Sequence, residues 1–167
     1  MLLTIWIGLW ERPGQFDRAG VERSLYVASR DGSELRWLTY FGHHHSWTPG
    51  AESVLFCGWL DPQTRKEPRL FLIDFDGSNR RVVVDEPLGG HPIMSPDHSM
   101  IATWDDRGVI LVHVDEGRWE YAASFGEGFD MSHRGTHPHP VWKGDGTQLL
   151  YNSAQFGHSQ VCLLPIG

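Results

Sequence analysis

Apolar residues along this chain fall in short runs broken by Gly, Pro and Asp. Leu2 to Ile7, Leu25 to Ala28, Leu35 to Thr39, Leu70 to Asp74 and Val109 to Val114 are such runs, and so are Arg80 to Val84, Trp119 to Ala123 and Gln160 to Leu164. They are rich in aliphatic and aromatic residues, and turn pairs follow several of them at Asp31-Gly32, Asp76-Gly77 and Glu116-Gly117. Short strands at this density, each closed by turn residues, predict an all-β fold.

A longer period lies over the strands. His44-His45-Ser46-Trp47-Thr48-Pro49-Gly50, His91-Pro92-Ile93-Met94-Ser95-Pro96-Asp97 and His139-Pro140-Val141-Trp142-Lys143-Gly144-Asp145 align on their turns. Trp47, Met94 and Trp142 then share one position, His44, His91 and His139 another, at offsets of 47 and 48 residues. Four short strands in a unit of this length describe a β-propeller blade. The predicted architecture is a β-propeller of four-stranded antiparallel blades in a single domain. It has a partial blade over 1–40, blades over 41–85 and 88–124, and a partial blade over 133–167. Two full units flanked by three strands on either side suggest the C-terminal part of a larger ring. The competing expectation is a compact four-bladed ring with imperfect end blades.

Composition narrows the function. The formal net charge of −7 argues against general binding of nucleic acid or an anionic membrane, which needs a basic field. No run reaches the ~20 apolar residues of a membrane span. Met1 to Trp10 lacks the basic start and small-residue cleavage site of a signal peptide. Cys57 and Cys162 each lie in an apolar strand, which predicts buried thiols and a cytoplasmic, reducing location. Glu11 to Arg23 and Asp61 to Pro68 read as polar loops. A Gly-rich phosphate loop and a Gly-x-Ser-x-Gly elbow are both missing from the sequence, so phosphoryl transfer and serine hydrolysis have no support.

The candidate chemistry lies in Thr136-His137-Pro138-His139-Pro140. Proline pushes its predecessor toward extended geometry, where side chains at i and i+2 share a face. His137 and His139 are thereby predicted to present two imidazoles together, and neutral imidazole is a common metal ligand. The repeat adds His91 from the neighbouring blade, and then His44 or His45. The expected site is a divalent ion held by nitrogen and oxygen ligands near the channel mouth. Trp47 and Trp142 are expected to pack in the core. Asp97 and Asp145 are expected to cap their turns, and His98, His113 and His158 to face solvent.

Thr136-His137-Pro138-His139-Pro140 followed by Gly144-Asp145-Gly146, Leu149 to Ser153 and Gln160 to Leu164 resembles the C-terminal blades of oligogalacturonate lyases. Gly42 to Trp47 and Gly90-His91-Pro92 resemble the blade starts before them, whereas the Pro-Asp-Gly-like turns are generic to TolB-like propellers. The resemblance runs from about Ser24 to the end. It implies a lyase of carbohydrate metabolism that cleaves acidic, pectin-derived oligosaccharides by metal-assisted β-elimination. The implied cofactor is a divalent ion, typically manganese, with His137 and His139 as ligands and His91, His44 or His45 as the third histidine. The family's glutamine position is occupied here by Arg134. Arg134, Arg107 and Arg30 are candidate clamps for the uronate carboxylate, because guanidinium grips carboxylate bidentately. The catalytic base is not assigned. The expected macromolecular partner is an N-terminal propeller chain, or a second copy, completing the ring. The alternative function is a non-catalytic TolB-like propeller that binds a protein or sugar at its channel mouth.

Overall fold

The computed structural model describes residues 2–7, 22–40, 42–60, 66–125, 137–155 and 157–167. Among the described residues, fourteen strands form four sheets. The first holds β1 (Leu2–Ile7), β2 (Glu22–Ala28) and β3 (Leu35–Tyr40). The second holds β4 (His43–Trp47), β5 (Ser53–Trp59), β6 (Pro68–Asp74) and β7 (Arg81–Val82). The third holds β8 (Ile93–Met94), β9 (Met100–Trp104), β10 (Gly108–His113) and β11 (Arg118–Ser124). The last holds β12 (Val141–Trp142), β13 (Gln148–Ser153) and β14 (Gln160–Pro165). Every sheet is antiparallel and pairs its strands in sequence order. This is the all-β propeller architecture that the strand density predicts.

The register reproduces the sequence repeat. Trp47 pairs with Val54, Met94 with Ile101 and Trp142 with Leu149. Two tryptophans and a methionine thus hold one position in three successive sheets. Each predicted run is a strand, with ends displaced by at most three residues. The fourth strand of the second sheet is shorter than predicted, with Arg81–Val82 where Arg80 to Val84 was expected.

Alternation along each strand sends apolar side chains to both sheet faces, and the sheets stack through them. Leu25 and Leu38 pack against Val54, Phe56, Phe71 and Ile73 of the second sheet. Leu55, Cys57, Leu70 and Leu72 on its other face meet Met94, Ile101, Ile110 and Val112. Ala102, Val109 and Leu111 meet Trp142, Leu149 and Tyr151. Full burial of each large side chain is worth about 1.5–3 kcal/mol, so these junctions dominate stability. The inner strands are also tied directly. Ser46 Oγ donates to the Pro92 carbonyl at 3.1 Å, and Trp142 Nε1 donates to the Ile93 carbonyl at 3.1 Å.

The turns at one end share one device. Asp97 Oδ1 accepts from Ser99 N at 3.1 Å and from the hydroxyls of Ser95 and Ser99 at 2.6 and 2.8 Å. Asp145 accepts from Thr147 N and Oγ1 at 3.1 and 2.6 Å. These bonds hold Asp97 down at about 2 and push Asp145 well below the usual carboxylate range, with Lys143 the largest contributor for Asp145. Both aspartates cap their turns as expected. Cys57 is a buried free thiol that burial pushes up to about 12, while Cys162 is free and half-buried. Among the described residues, no helix is long and apolar enough to cross a membrane.

Candidate metal centre

The opposite end gathers imidazoles. His44 lies in β4, His91 precedes β8, and His137 and His139 precede β12. Ring centroids of His44 and His91 are 3.8 Å apart, those of His91 and His139 4.1 Å, and those of His137 and His139 5.8 Å. One nitrogen from each of His91, His137 and His139 falls in a group with all members within 4.8 Å of one another. His91 is half-buried and the other two are exposed, so a bound species could be approached from solvent.

Local structure explains each placement. Two residues of β4, His44 and His45, oppose the single residue Phe56, because His43 pairs with Cys57 and Ser46 with Leu55. That bulge, with His44 at φ 50°, re-aims the side chain, as bulges do. Gly90 has φ 81°, and a Cβ there would stand 2.5 Å from the Trp104 carbonyl oxygen and 2.7 Å from Thr103 Oγ1. Only glycine lets the chain pass so close before His91. Thr103 Oγ1 donates to the Gly89 carbonyl from the other side. The His-Pro-His-Pro segment is held by Asn152, whose backbone N donates to the Pro138 carbonyl at 2.8 Å and whose Nδ2 donates to the His137 carbonyl at 3.2 Å.

One expectation about this segment changes. His139 has φ 41°, in the left-handed region, rather than the extended geometry expected before proline. The two rings nevertheless face one another with planes 25° apart. Such a backbone costs of order 1–3 kcal/mol in a non-glycine residue, and the Asn152 bonds help to hold it.

Electrostatics suit a cation ligand. His91 is pushed down to about 3, first by burial and then by His44, His139 and His137. Burial and His137 lower His139, and burial lowers His45. Depressed values keep imidazole neutral at physiological pH, the state in which it binds metal. His91 Nδ1 is buried without a hydrogen-bond partner, an orphaned ring atom beside the group. Three imidazole nitrogen donors with open access fit a borderline divalent ion. Bonds of ~2.1 Å to a common zinc-like ion separate donors by at most about 4.2 Å, so small ring movements would complete the grip.

Other candidates fall differently. Arg107 lies in the β9–β10 turn, with Nη2 at 2.9 Å and Nε at 3.1 Å from Asp105 Oδ2 and its guanidinium over the Tyr121 ring. Arg134 and His133 lie outside the described residues. Trp142 is core, as expected, and Trp47 packs on the second sheet's core. His113 is not simply solvated, since its Nε2 lies 3.0 Å from Glu120 Oε1. His158 Nε2 lies 2.8 Å from Gln160 Nε2.

Sequence reasoning missed two supporting residues. Trp104 stands against the site, with its ring 5.8 Å from His91 at 9° and 5.3 Å from His137. Asn152 is the other. Cys57, Trp104 and Asn152 occupy one repeat position at the end of the second strand of their sheets. Carrying the histidine alignment ten or more residues further would have placed them beneath the imidazoles.

The described fold and site define a β-propeller segment with a histidine cluster at one end. No protein-family model matches the chain, and no curated protein matches it. Solved structures do. An oligogalacturonate lyase in complex with manganese superposes with a TM-score of 0.71 at 17% identity, covering 88% of this chain and 45% of that one. An oligogalacturonate lyase from Vibrio parahaemolyticus gives 0.70 at 12% identity, covering 87% and 46%. The β-propeller domain of the trilobed protease from Pyrococcus furiosus gives 0.61 at 6% identity, covering 99% and 51%. This chain spans under half the length of the two lyases. At these identities the likeness establishes the propeller fold.

Proposed function

We propose that His91, His137 and His139 hold a divalent cation, manganese in the first instance, and that this propeller acts on short uronate oligosaccharides by β-elimination. The observation that carries the reading is the convergence of three imidazoles from two adjacent sheets. The lyase neighbour solved with manganese and the His-Pro-His-Pro resemblance support the choice of ion and substrate.

β-Elimination removes the proton beside a uronate carboxylate, and charge builds on that group as the proton leaves. A bound divalent ion supplies Lewis-acid stabilisation of this charge. The chain's residues set the stage for it. Burial of His91 holds one nitrogen in its neutral form, and Trp104 walls the site on the side of the third sheet. Exposed His137 and His139 leave an approach for a sugar ring. Arg134 is proposed as a carboxylate clamp. Arg107 could serve only by giving up its Asp105 contact.

Binding and activity are tested separately. Manganese should raise the melting temperature of the chain, and His137→Ala should abolish the rise. Unchanged melting with manganese would remove the cation reading. Digestion of trigalacturonate should raise ultraviolet absorbance as a conjugated C=C bond forms. Cation binding without that rise would leave a propeller that binds a sugar or protein at its channel mouth. Arg134, standing where the resemblance expects glutamine, favours this second reading. It predicts that uronate binding survives the His137→Ala/His139→Ala double change.

A further inference from the structure

The last sheet keeps an apolar face that none of the described residues covers. In the second sheet, Leu55, Leu70 and Leu72 form the face buried against the third. In the third sheet, Ala102, Val109 and Leu111 occupy the same register positions and are buried against the last. The register carries these positions to Leu150, Val161 and Leu163, since Leu150 pairs with Leu163 as Leu55 pairs with Leu72, and Asn152 pairs with Val161 as Cys57 pairs with Leu70. Here they are 43%, 71% and 55% exposed. Residues that serve only as solvated surface have no reason to be apolar at all three junction positions.

The first sheet shows the opposite half of the same junction. On the second sheet, Phe71 pairs with Val82 and both pack toward the first sheet. The equivalent cross-strand pair on the first sheet is Tyr26 with Trp37. Its open face includes Trp37 at 46% and Leu35 at 54% exposure. One chain therefore carries a donating face at one side and a receiving face at the other. Each has the composition of the inner junctions.

We infer that two copies of this chain join head to tail, the Leu150–Val161–Leu163 face of each against the Tyr26–Trp37 face of the other. A head-to-tail contact closes when its rotation returns to the start, as it would if the eight sheets of two copies shared one full turn. The match covers 51% of a solved β-propeller domain, so two copies approach one full ring. Each pair would bury two junctions of the internal kind and bring two histidine centres to one toroid.

Sedimentation velocity of the purified chain tests this without cation or uronate, so its outcome is separate from that of the proposed function. A two-chain species is expected at micromolar concentration. Leu163→Lys and Trp37→Lys should each raise its dissociation constant at least tenfold while the circular dichroism spectrum is retained. Should Leu163→Lys lose its fold, Val161→Ser gives a milder test of the same face, and Leu35→Ser does so for the face of Trp37. An equimolar mixture of Leu163→Lys and Trp37→Lys chains should recover pairing, because one unaltered junction remains. A wild-type monomer would overturn the inference. So would open polymers, or a pair sensitive to Leu163→Lys but not to Trp37→Lys, which would mean like faces meeting.

Discussion

His91 is the residue on which the candidate centre turns. It is the most deeply set of the three donors, and its proton affinity is displaced furthest. The unfolded chain carries this imidazole near 6.5, and the folded chain holds it at about 3. Between these values the unfolded state takes up a proton that the folded state refuses. Stability without metal should therefore fall as pH drops from 6.5 toward 3, and His91→Phe should flatten that slope in urea titrations. His139 makes a different point. Replacing it with glycine relieves the left-handed backbone, so melting without cation should hold or rise, whereas the manganese-induced shift should shrink. At a hundredfold excess over the dissociation constant, that shift is worth about 2.7 kcal/mol in the wild type. A loss of both properties in His139→Gly would mean that the ring's main duty is packing.

At the scale of elements, turns and strands were legible and the orientation of the histidines was not. Asp97 with Ser99 and Asp145 with Thr147 form their turns from neighbours in sequence, so local chemistry predicts them. The Trp47, Met94 and Trp142 alignment became register because all three answer to one sheet geometry. The φ of His139 depends instead on Asn152, thirteen positions downstream, and the aim of His44 depends on a bulge opposite Phe56. Neither follows from the dipeptide rule for residues before proline. Trp104 is legible only through the repeat alignment, since the pairing of β8 with β9 is what brings it to His91. Gly90 joins the two levels. Gly90→Ala should cost about 1–3 kcal/mol through backbone strain and should weaken cation binding by displacing His91, both readable in one thermal-shift series. A cation response unchanged by this substitution would show that the Gly90 approach does not position the ring.

For the molecule as a whole, the junctions between sheets carry the fold. Ile110→Ala at the centre of the junction between the second and third sheets should cost about 2–5 kcal/mol, measured by urea unfolding. A much smaller loss would mean that the sheets are held chiefly by their inner-strand ties, Ser46 to Pro92 and Trp142 to Ile93. The propeller class could be read from the chain because the repeat period and strand density are properties of the sequence. The gathering of imidazoles at one mouth could be read only in part, because phase selects the right strand end but not the rotamer or backbone that completes the group.

The two thiols offer a clock on these junctions. Cys57 is sealed between the second and third sheets, and an alkylating reagent needs its sulfur as thiolate. Labelling there must await separation of the central sheets, while Cys162, nearer the surface of the last sheet, should label sooner. The interval between the two reactions would time whether the stack opens from its edge inward or parts in one step.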